Sequence, residues 1–300
     1  MRLVILGQSG QLAQALRSVC SSMAVPPICL GRAQCDLSNA QAVADRLFEI
    51  KPEAIINAAA FTAVEAAETQ VDQATALNTH APQALAEVAS RLNVPFLHIS
   101  TDYVFDGRQS VPYSEKDAPN PLNVYGRTKL DGERAVIATY PEALIIRTSW
   151  VFSPYGHNFV RTMLKLAAKG DPLSVVDDQI GTPTSALDLA EACIQALKAK
   201  RDGAEARGLF HYAARGETSW FGLAQEIFEQ TAAWRANKEV IVQPIGSDEF
   251  KTQAVRPKNS RLNSDAFVRT FNYHQPRWQE SLANTLAMLE PECRLARRAP

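Results

Sequence analysis

Apolar and polar residues follow two rhythms along the first half of the chain. Short apolar runs at 3–6, 54–56, 96–99 and 143–146 have the length of buried strands, whereas longer stretches at 11–19, 73–92 and 124–138 repeat their apolar positions at helical spacing. Strands that alternate with helices predict a parallel sheet covered on both faces. Further strands are expected at 27–30, 173–176 and 209–212, and further helices at 158–168, 186–198, 220–230 and 278–289. Beyond about residue 150 the strands become sparse, and Ser153-Pro154-Tyr155-Gly156 marks a break. The expected fold class is α/β, a doubly wound parallel sheet with a smaller C-terminal lobe. Residues 1–152, completed by 177–209, make the sheet domain, and residues 153–176 and 210–300 make the lobe.

Composition narrows the function classes. A hydrophobic fraction of 46% supports a substantial core, and 31 basic against 32 acidic residues leave a net charge of −1. That balance provides no electrostatic footprint for DNA, RNA or an anionic membrane, so any cation that binds a ligand acts locally. Cys20, Cys29, Cys35, Cys193 and Cys293 include no C-x-x-C pair, and their odd number argues against a disulfide framework or a zinc site. A reducing cytoplasm is the expected location. The first apolar run stops at Gly7, too short for a secretory segment, and no run approaches the roughly 18 residues of a membrane span.

Gly7-Gln8-Ser9-Gly10-Gln11-Leu12-Ala13 follows the first strand and opens a helix. Gly7 permits a tight turn, Gly10 lets the backbone approach a pyrophosphate, and Ala13 allows close helix packing, the arrangement of a Rossmann-type dinucleotide fold. The second strand ends in Leu30-Gly31-Arg32 rather than in an acidic residue. Arg32 either pairs with the 2′-phosphate of NADP or is a solvated surface arginine. Asp36 and Leu37 follow where a side chain lies near adenine. Asn57-Ala58-Ala59-Ala60 has the small side chains that a backbone against a dinucleotide requires, although core packing also explains alanines.

Tyr125 and Lys129 stand four residues apart in a predicted helix and project from one face, about 6 Å apart along its axis. An ammonium beside a phenol, together with a nicotinamide ring, is expected to lower the phenol's pKa and let it donate a proton to a carbonyl oxygen. Thr101, with Ser100 as second choice, lies just past the C-terminal end of a strand, where open α/β sheets bind ligands, and its hydroxyl would stabilise the developing alkoxide. His98 lies inside an apolar run and reads as a buried strand residue. His80, His157, His211 and His274 show no metal spacing. The chain has no G-x-S-x-G elbow and no G-x-x-x-x-G-K-[ST] loop, which argues against acyl transfer and ATP hydrolysis.

Together with Ser100-Thr101-Asp102-Tyr103-Val104-Phe105, Pro121-Leu122-Asn123-Val124-Tyr125-Gly126, Arg147-Thr148-Ser149-Trp150-Val151, and Arg256-Pro257 with Asn259-Ser260-Arg261-Leu262, these residues resemble the extended short-chain dehydrogenase/reductase family. Within it, the resemblance is to reductases of nucleotide 4-ketosugars. It implies reduction of the C4 ketone of dTDP-4-dehydro-6-deoxy-L-mannose to dTDP-L-rhamnose by NADPH or NADH, a step in making an activated sugar for cell-surface polysaccharide. By this similarity Tyr125 is the general acid, Lys129 holds the nicotinamide ribose and Thr101 steadies the reacting oxygen. Gly10, Gln11 and Leu12 would contact the pyrophosphate, with Asp36, Leu37, Ala60, Phe61 and Thr62 around the rest of the cofactor. Asp102 and Trp150 would border the dTDP-4-keto-6-deoxy-L-sugar, and Arg256 and Arg261 would face its diphosphate. Other products, a 6-deoxytalose or an amino sugar, keep the same catalytic residues, and a catalytically silent regulatory protein shares the fold. Some family members dimerise through Mg²⁺ held by glutamates, one of them on the first helix. Ala15 stands at that place, with Glu191 and Glu290 at the others, so the oxygen cage is incomplete and a monomer or weak homodimer is expected.

Overall fold

The computed structural model describes residues 1–235 and 240–296. β1 (Leu3–Leu6) leads through the glycine turn into α1 (Gln11–Val19), and β2 (Ile28–Leu30) leads into α2 (Ala40–Ile50). β3 (Ala54–Asn57) is followed by α3 (Val64–Ala67), α4 (Val71–Thr75), a π turn at Ala76–His80 and α5 (Ala81–Leu92). β4 (Phe96–Thr101) ends in a 3₁₀ turn at Asp102–Val104, after which α6 (Val124–Thr139) returns to β5 (Leu144–Thr148).

The second half contains β6 (Val151–Phe152), α7 (Phe159–Ala167), β7 (Leu173–Val176), β8 (Ile180–Gly181), β9 (Thr184–Ser185) and α8 (Ala186–Arg201). β10 (Gly208–His211), β11 (Thr218–Ser219), α9 (Trp220–Gln230), β12 (Val242–Ile245), α10 (Asp265–Phe271) and α11 (Trp278–Ala296) complete it. Six strands form one parallel sheet in the order β10-β5-β4-β3-β1-β2. The chain reverses its direction of travel across the sheet between β1 and β3, which opens a crevice at their C-terminal ends.

Alternation along each strand builds the two layers. Leu3 and Ile5 pack with α1, α8 and α10 on one face, and Val4 and Leu6 pack with α2 and α5 on the other. Every residue of β1 is fully buried, each contributing about 1.5–3 kcal/mol of apolar transfer. A separate core joins Phe152, Val160, Leu223, Ile227, Trp278 and Leu282 from β6, α7, α9 and α11. β10 straddles the expected boundary between residues 209 and 210 and belongs whole to the large sheet, with α10 packed beside it. α2 and α10 go beyond the expected elements. α2 buries only Val43 and Leu47, a stripe too thin to stand out in sequence, and it starts where the Asn39 side chain accepts the Ala42 N–H.

Candidate active site

The crevice between β1 and β3 widens into a cleft of about 920 Å³ that runs from the glycine turn to α6. At its near end Gly7 holds φ +118°, a conformation open to glycine but strained for other residues, and its N–H donates to Leu30 O at 2.9 Å. Gly10 is the N-cap of α1 and brings no side-chain cap, so the N–H groups of the first turn are left for an external acceptor. A Cβ added to Gly10 would meet nothing within 4 Å. Gln11 and Leu12 line this end, and Ser153 Oγ donates to Gln11 Oε1 at 3.0 Å, tying α1 to the segment after β6.

Arg32, Asp36 and Leu37 form the outer wall beyond β2. Arg32 is 89% exposed and reaches Asp36 at 4.0 Å, while Asp36 accepts from the Ser38 N–H and hydroxyl, which hold its carboxyl below the usual range. Ala60 and Thr62 line the cleft after β3. Phe61 does not, because Asn78 clamps its backbone: the Phe61 N–H donates to Asn78 Oδ1 at 2.8 Å, and Asn78 Nδ2 donates to Phe61 O at 3.1 Å.

α6 brings Tyr125 and Lys129 against the end of β4. Asn123 caps this helix by accepting the Gly126 N–H at 2.8 Å, and a Cβ on Gly126 would collide with Tyr103 O. That close approach sets Tyr125 beside Thr101, whose hydroxyl acts on the phenol. Thr101 Oγ1 also donates to Asp102 Oδ1 at 3.0 Å and accepts the Tyr103 N–H at 3.2 Å. The rings of Tyr103 and Tyr125 meet edge to face, 5.5 Å between centroids. Thr101, Asp102, Tyr125, Lys129 and Trp150 all line the same cleft.

The electrostatics depart from the sequence-based expectation at one point. The Tyr125 phenol is raised above its ordinary value, chiefly by burial, with Asp102 and Tyr103 adding to the effect and the Thr101 hydrogen bond opposing it. Lys129 does not offset this, because its Nζ turns away and donates to Ile99 O at 2.6 Å, with His98 Nε2 at 3.3 Å. Burial also lowers Lys129 to about 8, against the pull of Glu133. Asp102 is pushed up to about 6 by burial despite Ser260 and Thr101, and its Oδ2 has no hydrogen-bond partner.

Arg256 and Arg261 stand outside the cleft wall. Arg256 Nη2 pairs with Glu65 Oε1 at 2.8 Å, while its Nε is buried without a partner. Arg261 is engaged within the protein, donating to Asn259 Oδ1 in its own loop and to Ser110 O and Glu217 Oε2 from two other segments. Trp150 adopts φ 47° and stacks on Trp220 with centroids 3.6 Å apart, a strained backbone braced by aromatic packing.

Residues 1–290 match the model of the RmlD substrate binding domain family. A dTDP-4-dehydrorhamnose reductase of Sinorhizobium fredii is 44% identical over 283 residues, 94% of this chain and 95% of that protein. The chain belongs to this family. Among solved structures, a dTDP-4-dehydrorhamnose reductase from Clostridium acetobutylicum superposes with TM-score 0.90 at 37% identity, covering 97% of this chain and all of that one. A Bacillus anthracis dTDP-4-dehydrorhamnose reductase in complex with NADP superposes with TM-score 0.89 at 32% identity, covering 96% and 99%.

In this member of the RmlD family the sequence reading missed the ionic floor beneath the cleft. Arg147 on β5 donates to Glu133 on α6 through Nε at 2.8 Å and Nη2 at 2.6 Å, and Ser100 Oγ donates to the same carboxylate at 2.5 Å. The Arg147 guanidinium also lies 4.9 Å from the Phe105 ring centroid. An arginine inside a hydrophobic strand beside a helical glutamate was the available signal. Ala15 is fully buried in the layer shared by α1 and α8, and Glu191 accepts from the Tyr273 hydroxyl at 3.0 Å. Among the described residues no three His, Cys, Asp or Glu side chains gather as a metal site. No described helix is long and apolar enough to cross a membrane.

Proposed function

We infer that the protein is an NADPH- or NADH-dependent reductase that converts the C4 ketone of dTDP-4-dehydro-6-deoxy-L-mannose to the alcohol of dTDP-L-rhamnose. The observation that carries this reading is the meeting of Thr101, Tyr125 and Lys129 at one end of a cleft whose other end is an uncapped helix N-terminus. The family and its named reductases support the same substrate class. A reduced nicotinamide cofactor bound with its pyrophosphate at the glycine turn would supply hydride to the carbonyl carbon.

The chain's own groups do the rest. Tyr125, kept protonated by its surroundings, donates its proton to the carbonyl oxygen, and Thr101 holds that oxygen and the phenol in line. Lys129, its Nζ held by Ile99 O, is the group that binds the nicotinamide ribose. Asp102 and Trp150 border the sugar. Arg256, with its unpartnered Nε, is the cation assigned to the substrate diphosphate, and Arg261 shapes the loop that carries it. Residues 1–152 with 177–209, completed by β10 and α10, serve the cofactor, and the remaining lobe serves the sugar nucleotide. We place the protein in the cytoplasm as a monomer or weak homodimer whose mass in solution is indifferent to magnesium and chelator.

Product analysis tests the assignment. Incubation with NADPH and the dTDP-4-keto-L-sugar should give the rhamno configuration by NMR. A 6-deoxytalose product would keep the reductase and move the substrate assignment.

A further inference from the structure

Below Tyr125 a hydrogen-bond chain runs from the cleft-lining backbone just after β3 to the Lys129 amine. The Ala59 N–H donates to Asn57 Oδ1 at 3.2 Å, Asn57 Nδ2 faces His98 Nδ1 at 3.1 Å, and His98 Nε2 faces Lys129 Nζ at 3.3 Å. Asn57 and His98 are buried to within 1% of full enclosure, and Lys129 is 2% exposed.

Direction follows from counting donors. Ala59 can only donate, so it takes the carboxamide oxygen of Asn57 and turns the NH₂ toward His98. His98 Nδ1 must then accept. Burial and the neighbouring Lys129 charge keep this imidazole neutral, so its single N–H sits on Nε2 and points at Lys129. A group that receives this N–H needs a lone pair, which the amine has and the ammonium lacks. The ammonium form would require the reverse order: Nζ donating to Nε2, Nδ1–H donating to Asn57 Oδ1, and the Asn57 NH₂ swung against the Ala59 N–H.

We propose that Asn57 and His98 are positioning residues that tie the charge state of Lys129 to the direction of this chain, with the amine form matched to Asn57 as Ala59 orients it. The inference rests on the reductase reading and extends it, since in that reading Lys129 binds the nicotinamide ribose beside Tyr125. The other charges facing Lys129 are few. Glu133 stands one turn further along α6 and favours the ammonium, but Arg147 from β5 and Ser100 from β4 engage its carboxylate. Tyr125 lies one turn earlier, with Asp102 acting on that phenol from the 3₁₀ turn. The Ala59 end of the chain belongs to a segment that lines the cleft, so occupancy there and ionisation of Lys129 are linked and each shifts the other.

Two measurements on the free protein test the chain without any sugar substrate. In ¹⁵N spectra of the wild type, His98 should carry its proton on Nε2 above the Lys129 titration and on Nδ1 below it. The two changes should share one midpoint with the Lys129 Cε signal. A single unchanging Nδ1–H tautomer overturns the proposal. Asn57→Asp supplies the second test, because a carboxylate accepts from both Ala59 N–H and His98 Nδ1–H and turns the Nε2 lone pair toward Lys129. The Lys129 midpoint should rise by about one pH unit or more, and the alkaline limb of the kcat profile should rise with it. An unmoved midpoint in the folded variant contradicts the proposal. Failure to reduce the sugar would sink the reductase reading while leaving both NMR outcomes intact.

Discussion

At the glycine-turn end of the cleft, Gly7, Gly10 and the first turn of α1 offer backbone donors and open space, and the charged side chains Arg32 and Asp36 are exposed. At the α6 end, Thr101, Asp102 and Lys129 are buried and Tyr125 is half-buried, with Glu133 and Arg147 beneath them. Fixed backbone dipoles suffice to hold an anion in place. Moving a proton requires groups whose ionisation is set by desolvation and neighbours, and such groups cost stability.

The comparison breaks most readily at Tyr125. Tyr125→Phe should lower reduction about 10²–10⁴-fold, because it removes the proton donor and leaves the glycine-turn end untouched. Glu133→Gln should instead strike the fold, since it leaves the Arg147 guanidinium buried without a carboxylate; a loss of about 3–5 kcal/mol in denaturant unfolding is expected. A loss below 1 kcal/mol would show that the floor is dispensable.

Asp102→Asn sharpens the same contrast with the opposite sign. Asp102 is raised to about 6 from an unfolded value near 3.8, so the folded state holds the extra proton between those pH values, and stability from this group is lost as pH rises through about 6. The variant should therefore be more stable than wild type at pH 7 by about 2–3 kcal/mol, with the gap closing below about pH 4. A variant less stable at pH 7 would mean that the carboxylate earns its place by contacts rather than by chemistry. The smallest effect belongs to Arg256→Ala, which should raise KM about ten-fold with little change in kcat, as expected for a side chain that binds without entering the reaction. An unchanged KM removes Arg256 from the diphosphate.

The two ends also differ in how far they can be read from sequence. Gly7 and Gly10 declare their purpose locally, Gly7 because the tight turn after β1 needs its positive φ and Gly10 because it opens α1 with no side chain over the first-turn N–H groups. The Tyr125–Lys129 spacing is equally local. Spacing reveals the ammonium near Tyr125 but neither the desolvation that raises the phenol nor the turn of Nζ toward Ile99 O. The chain through Asn57 and His98 joins β3, β4 and α6, and the Glu133–Arg147 floor joins α6 and β5, so neither has a signature in any one segment. Arg256 and Arg261 show the converse limit: a charge is visible in sequence, whereas the carboxylate that captures it, Glu65 or Glu217, comes from elsewhere in the chain.

The most direct test follows NADPH oxidation with the dTDP-4-keto-6-deoxy-L-sugar for wild type and Tyr125→Phe, alongside NADPH binding to each by fluorescence. The account predicts sugar-dependent oxidation by the wild type, with rate lost and NADPH affinity retained in the variant. Equal rates in the two proteins would contradict it.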